Sequence, residues 1–252
     1  MALKNSMETK EKGPDEEEQN SQSKKPNQDS ESRIDQLVKR YKIDLEKLEQ
    51  EQLKLSKELE IHDKIDFELA DRFGGVDSTF IDNKLLCCII VCNKEFEIID
   101  RAYVLEKVNF PYIPGFRNYR ELLPMINAFD KLSEKPDVVF VPAQGIVHPR
   151  LGLASHFGLA VGVPTIGVSD TQIGCEVNND NLIRNNKKVG KVFISKPGSN
   201  PMFISPGNFI TVETAYNITK KLINLPHKKP EPLHLAGKYS REVRKELMNL
   251  KH

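Results

Sequence analysis

No stretch of the sequence approaches the roughly 18 consecutive apolar residues of a membrane span. The N-terminal region also lacks the apolar core of a secretory leader. Cysteine is scarce: four residues, Cys87, Cys88, Cys92 and Cys175, none in a Cys-x-x-Cys pair. Three of them sit in one apolar run, where free cysteine behaves as a small hydrophobe, so a disulfide framework is excluded. No His–Cys cluster has zinc-ligand spacing. A reducing, intracellular setting is expected, cytoplasmic or nuclear. Charge of one sign is lacking too: the formal net charge is +1. Any surface for a polyanion must therefore be local.

Hydrophobic residues make up only 38% of the chain. The deficit lies at the N-terminus, where residues 1–33 are almost all Lys, Glu, Ser, Asn, Gln and Asp. Such a segment cannot bury enough apolar surface to offset its ordering entropy, and disorder is expected. Residues 34–62 carry Leu45, Leu48, Leu53, Leu55 and Leu59 among charged residues, which predicts an amphipathic helix packed on, or leading into, a domain at 63–240. Residues 241–252 read as a basic tail.

Within the domain the period shifts. Phe73 to Phe80, Leu85 to Cys92 and Phe96 to Val108 read as three strands separated by turn-like Asp82-Asn83 and Asn93-Lys94, hence an antiparallel meander. Leu122, Ile126, Phe129 and Leu132 recur at helical spacing. Val138 to Val141 and Thr165 to Val168 are short apolar strands flanking a small-residue helix at 151–161, the pattern of a parallel crossover. Residues 171–191 are polar and Asn-rich and read as a surface excursion. Short strands follow at Val189 to Ile194 and Met202 to Ile204, then a helix from Thr211. The fold class is α/β: a mixed sheet, antiparallel meander plus parallel strands, flanked by helices, as in ribonuclease H-like domains.

In such sheets sites lie beyond the carboxyl ends of the strands. Asp77, Glu121, Gln144, His148 and Asp170 fall near such ends. Paired carboxylates there suit Mg²⁺, which takes hard oxygen ligands. Taken singly, each has an ordinary explanation: Asp77 as an edge aspartate, Glu121 as a helix-start carboxylate favoured by the dipole, His148 as a loop residue. The segment Phe110-Pro111-Tyr112-Ile113-Pro114-Gly115-Phe116 is more pointed. Its prolines stiffen a tyrosine, and such rings stack on or wedge between bases.

Pro111 to Phe116 with Tyr119-Arg120-Glu121 resembles the signature loop of endonuclease V. So do Gly74-Gly75-Val76-Asp77, Gly145-Ile146 with His148-Pro149-Arg150, the run Leu151 to Leu159, Val163 to Val168, Ser205-Pro206-Gly207 and Leu233 to Ala236. The resemblance runs in order from about residue 45 to about residue 240. It implies a ribonuclease H-like fold and Mg²⁺- or Mn²⁺-dependent cleavage of nucleic acid, single- or double-stranded, near deaminated purines (hypoxanthine or inosine). By resemblance, Asp77 and Glu121 match metal-site carboxylates. Pro111, Tyr112, Ile113 and Pro114 match the strand-parting wedge. Gly74, Gly75, Gly145 and His148 are candidates for a pocket receiving a flipped base.

The departures fall on the chemistry. Where the resemblance expects a metal-binding Asp after Val141, the chain has Pro142. Where it expects a catalytic Lys it has Asp170; for a His it has Asn208, and for a further Asp it has Gly237. Impaired or lost catalysis with retained nucleic-acid binding is the expectation. Two alternatives stand beside it: an active nuclease in which Asp170 joins Asp77 and Glu121 as a relocated catalytic carboxylate, and a non-enzymatic protein-interaction module.

Overall fold

A computed structural model of the chain describes residues 28–171 and 174–249, with side chains from Arg33 onward. Most of the polar 1–33 segment, for which disorder was the expectation, lies outside the described residues. Its last residues begin the first helix.

Helices α1 (Gln28–Tyr41) and α2 (Leu45–Leu55) replace the single helix expected over 34–62. Lys42 takes a left-handed backbone (φ 52), which breaks the first helix. Asp44 restarts the second by accepting the Lys47 N–H at 3.0 Å, a side-chain N-cap.

The domain is built on one nine-stranded sheet in the order β3-β2-β1-β4-β5-β9-β8-β7-β6. The meander is present as β1 (Phe73–Ile81), β2 (Lys84–Cys92) and β3 (Ile98–Lys107), paired antiparallel. β4 (Val138–Val141) runs parallel to β1, and β5 (Thr165–Ser169) parallel to β4. β9 (Met202–Asn208) closes on β5 antiparallel. In β2 every residue after Lys84 is buried, because both faces of the sheet are covered. On one face α3 (Asn118–Asp130) and α4 (Leu153–Val161) pack Met125, Phe129 and Phe157 against Val76, Ile89 and Val141. On the other, α5 (Val212–Lys221) and α6 (Glu231–Asn249) pack Ile218, Leu233 and Ala236 against Phe73, Phe140 and Ile166.

The sequence reading and the structure part in two further places. The excursion at 171–191 carries β6 (Glu176–Asn178), β7 (Asn181–Arg184) and the start of β8 (Lys187–Phe193), which extend the sheet. Of the residues expected as a basic tail, 241–249 belong to α6, a 19-residue helix that buries Ser240 and Val243, and 250–252 lie outside the described residues. Among the described residues no helix is long and apolar enough to cross a membrane.

The start of α6 crosses β1 so closely that a Cβ on Gly75 would lie 2.0 Å from the Pro232 carbonyl oxygen. Backbone cannot yield as a side chain can. Gly75→Ala is therefore expected to cost about 3 kcal/mol or more, read as a lower denaturant midpoint; an unchanged midpoint would mean the helix sits elsewhere.

Candidate functional site

Asp77 lies in the carboxyl half of β1, half-buried, on the face that α6 covers. Register places the first residue after β4 beside it: Gly75 pairs with Phe140, and Pro142 follows two residues later. From α6, Gly237 comes closest. An ideal Cβ there would be 3.9 Å from Asp77 Oδ1 and 3.5 Å from Arg241 Nη1. Glu121 arrives from the first turn of α3 and is 7% exposed. Gly237 thus comes beside Asp77, while Glu121 comes beside the Pro142 backbone, from four elements distant in sequence.

A guanidinium joins Glu121 to Pro142, with Asp77 near enough to feel its charge. Arg117 Nε donates to Glu121 Oε1 at 2.6 Å and Nη2 to Oε2 at 2.9 Å. Nη1 donates to the Pro142 carbonyl at 3.1 Å. Burial works against the Arg117 charge, but Glu121 first, then Tyr112 and Asp77, outweigh it and raise the pKa above the ordinary value. A two-pronged Arg–carboxylate pair of this kind is the strong form of the interaction. Arg117 was not among the residues singled out in the sequence. Its i, i+4 spacing to Glu121 was the signal that could have found it.

Asp170 goes elsewhere. It is exposed just past β5, with Oδ1 2.6 Å from Lys228 Nζ and Oδ2 3.6 Å from Lys229 Nζ. Burial pushes its carboxyl up, and the two lysines more than reverse this, holding it below the usual range. Asn208 is fully buried, and its Oδ1 accepts the Glu60 N–H at 2.8 Å, which ties the segment after α2 to β9.

The aromatic loop is braced from behind. Gln52, fully buried on α2, donates to the Gly115 carbonyl at 3.1 Å and accepts Arg150 Nε at 2.7 Å. Arg150 also pairs with Glu49 at 2.7 Å and stacks over Phe116. Tyr119 donates to the Leu48 carbonyl at 3.0 Å. Pro114 is exposed and Tyr112 half-buried beside Arg120. Ile113, expected on the wedge, is 2% exposed and anchors the loop instead.

The four residues expected at a base pocket lie in tightly packed surroundings. Gly74 packs on Pro136 and Val139, and Gly75 on Pro232. A Cβ on Gly145 would be 2.0 Å from the Pro206 oxygen, and its N–H donates to buried Ser205 Oγ at 2.9 Å. Gly75 and Gly145 thus allow close backbone crossings, and Gly74 close side-chain packing. His148 is buried, with Nδ1 accepting the Arg150 N–H at 3.2 Å. Burial, then Arg150 and Arg184, push it down to about 4. Burial pushes His156 down to about 4 as well.

Both imidazoles are thus held neutral in the folded chain, while the unfolded chain takes up protons near the ordinary value of 6.5. Stability should be fully present above pH 6.5 and fall as the pH drops towards 4, by up to about 3 kcal/mol for each histidine. Denaturant midpoints across that window check this; a flat profile would contradict it.

Burial pushes the Cys88 and Cys92 thiols up to about 12 and Cys87 higher still, so none is a ready nucleophile.

Known proteins share this fold. The Endonuclease V family model matches residues 53–238. The endonuclease V of Thermosipho melanesiensis is 36% identical over 222 residues, covering 83% of this chain and 93% of that one. The Bacillus subtilis endonuclease V structure superposes with a TM-score of 0.75 at 27% identity, over 83% of this chain and 95% of that one. An endonuclease V from Ciona intestinalis, solved with a 24mer DNA containing an inosine followed by a ribo-adenosine, shares the fold (TM-score 0.71, 22% identity, 81% and 98% coverage). With the family model spanning most of the domain and a relative this similar across nearly its whole length, the chain belongs to the endonuclease V family.

Proposed function

We propose that this protein is a nucleic-acid-binding member of its family in which metal-assisted phosphodiester cleavage is impaired or lost. Its ligand class is single- or double-stranded nucleic acid carrying deaminated purines. The observation that carries the reading is the capture of Glu121 by Arg117. Mg²⁺ or Mn²⁺ needs several oxygen ligands. Both Glu121 oxygens are already bonded to a cation, Pro142 offers no side-chain ligand, and Gly237 offers none beside Asp77. A further positive charge would also be repelled by the guanidinium, by about 4 kcal/mol per unit charge at 4 Å and an effective dielectric of about 20. The residues present do not fit a divalent ion between Asp77 and Glu121.

They do fit an anion. Arg117 has five N–H groups, and the three hydrogen bonds above leave two that can meet a phosphate oxygen. Tyr112 and exposed Pro114 lie on the same loop, so a strand held at Arg117 would place its bases against them. Asp170 as a replacement ligand has less support, since Lys228 and Lys229 neutralise it.

Gel shifts on oligonucleotides with and without one inosine test the reading. Retention that is the same in Mg²⁺ and in chelator is the expected result. Retention that appears only with the ion would overturn it, and no retention at all would favour a protein-interaction module.

A further inference from the structure

The start of α6 brings together three groups that the Asp77–Glu121 site does not use. His227, Glu231 and His234 each offer a ligand atom, all within 4.8 Å of one another. His227 Nδ1 is 2.8 Å from Glu231 Oε2. The two imidazole rings lie 3.5 Å apart at 13°. Glu231 is 4% exposed, and among the described residues its only side-chain hydrogen bond is to His227. The histidines are half-buried, and the carboxylate is the more deeply placed of the three groups.

Rings stacked this closely repel if both are protonated, and the neutral imidazole is the ligating form. Because an imidazole ligates in its own plane, one ring has to turn out of the stack for both to reach one ion. The Glu231 carboxylate has two oxygens and about four lone-pair sites, of which the His227 contact takes one. A cation placed among the three would satisfy it. Two imidazole nitrogens and one carboxylate oxygen are the donor set of Zn²⁺ and similar first-row ions, not of Mg²⁺. The loop is already pinned for the purpose: Lys228 and Lys229, next to His227, turn to Asp170 and leave the ring over Glu231.

We propose that His227, Glu231 and His234 form a binding site for a Zn²⁺-class transition-metal ion. The spacing i, i+4, i+7 joins the loop before α6 to its first two turns. One turn further on, Gly237 passes Asp77. An ion here would fix the end of the helix that covers Asp77, which makes the site structural. It stands independently of whether the chain cleaves nucleic acid.

The test uses the full chain. Zn²⁺ titration by calorimetry is expected to show one ion per chain, retained in excess Mg²⁺. Co²⁺ in its place is expected to give the visible bands of a nitrogen- and oxygen-ligated ion, a readout that needs no variant. His227→Ala and His234→Asn should each weaken Zn²⁺ binding at least about 10-fold, while Asp77→Asn leaves it unchanged. Absence of Zn²⁺ binding would overturn the proposal. So would affinity that neither histidine substitution alters, or affinity lost in Asp77→Asn instead.

Discussion

Arg117→Ala is expected to destabilise the protein by about 2 to 3 kcal/mol and to make its melting temperature rise with Mg²⁺ or Mn²⁺, a response the parent lacks. Removing one partner of a buried ion pair leaves the other charge uncompensated, typically at about 3–5 kcal/mol. Glu121 is 7% exposed, so most of that cost applies. The arginine side chain is 38% exposed, which trims it. Once the guanidinium is gone, Glu121 and Asp77 face a gap that a divalent ion can enter, and anything that binds only the folded state raises its stability. Arg117→Ala/Glu121→Gln should lose the ion response while recovering part of the stability. A parent protein that already melts higher with Mg²⁺ would show that the guanidinium does not hold the cation's place.

Tyr112→Ala should weaken binding of inosine-containing strands by about 5- to 100-fold, the range for losing one base–aromatic stack. Its melting temperature should barely move, because the ring is half-buried at the loop surface. Ile113→Ala next to it should do the reverse. Its side chain is 2% exposed, and emptying such a site costs about 2–5 kcal/mol. The contrast separates a residue that meets ligand from one that holds the loop. Equal losses of binding in Tyr112→Ala and in a distant surface variant would remove the wedge role.

How legible each feature was follows from what its residues had to bury. β1, β2, β4 and β5 are apolar on faces covered by helices, so their runs stand out in the chain. β6 is exposed at every residue, so no alternation marks it. Its hairpin was signalled only by paired turn residues: Asn179-Asp180 and Asn185-Asn186 all take positive φ, as two-residue hairpin turns require. α6 was hidden by its charge. Leu233, Ala236, Ser240, Val243 and Leu247 recur at three- and four-residue steps, a stripe narrow enough to be outweighed by the lysines, arginines and glutamates around it.

The site shows the same division. Asp77 and Glu121 were readable because they stand in stretches that resemble the family's motifs. Arg117 was not, since its meaning depends on Glu121 and on a carbonyl 25 residues away. Gly75 and Gly145 show how little a glycine says by itself. A residue without a side chain serves a ligand pocket and a tight backbone crossing equally well, and only the position of Pro232 or Pro206 tells them apart.

The most direct measurement is cleavage of single-stranded DNA and RNA oligonucleotides, each with or without one inosine, in Mg²⁺ or Mn²⁺, with retention on a gel recorded alongside. An Asp77→Ala protein runs beside the parent to expose any contaminating nuclease. Retained strands that stay intact, with the same pattern in chelator, are the predicted result. Inosine-dependent cleavage by the parent that disappears in Asp77→Ala would contradict it and show that a divalent ion reaches Asp77 despite Arg117.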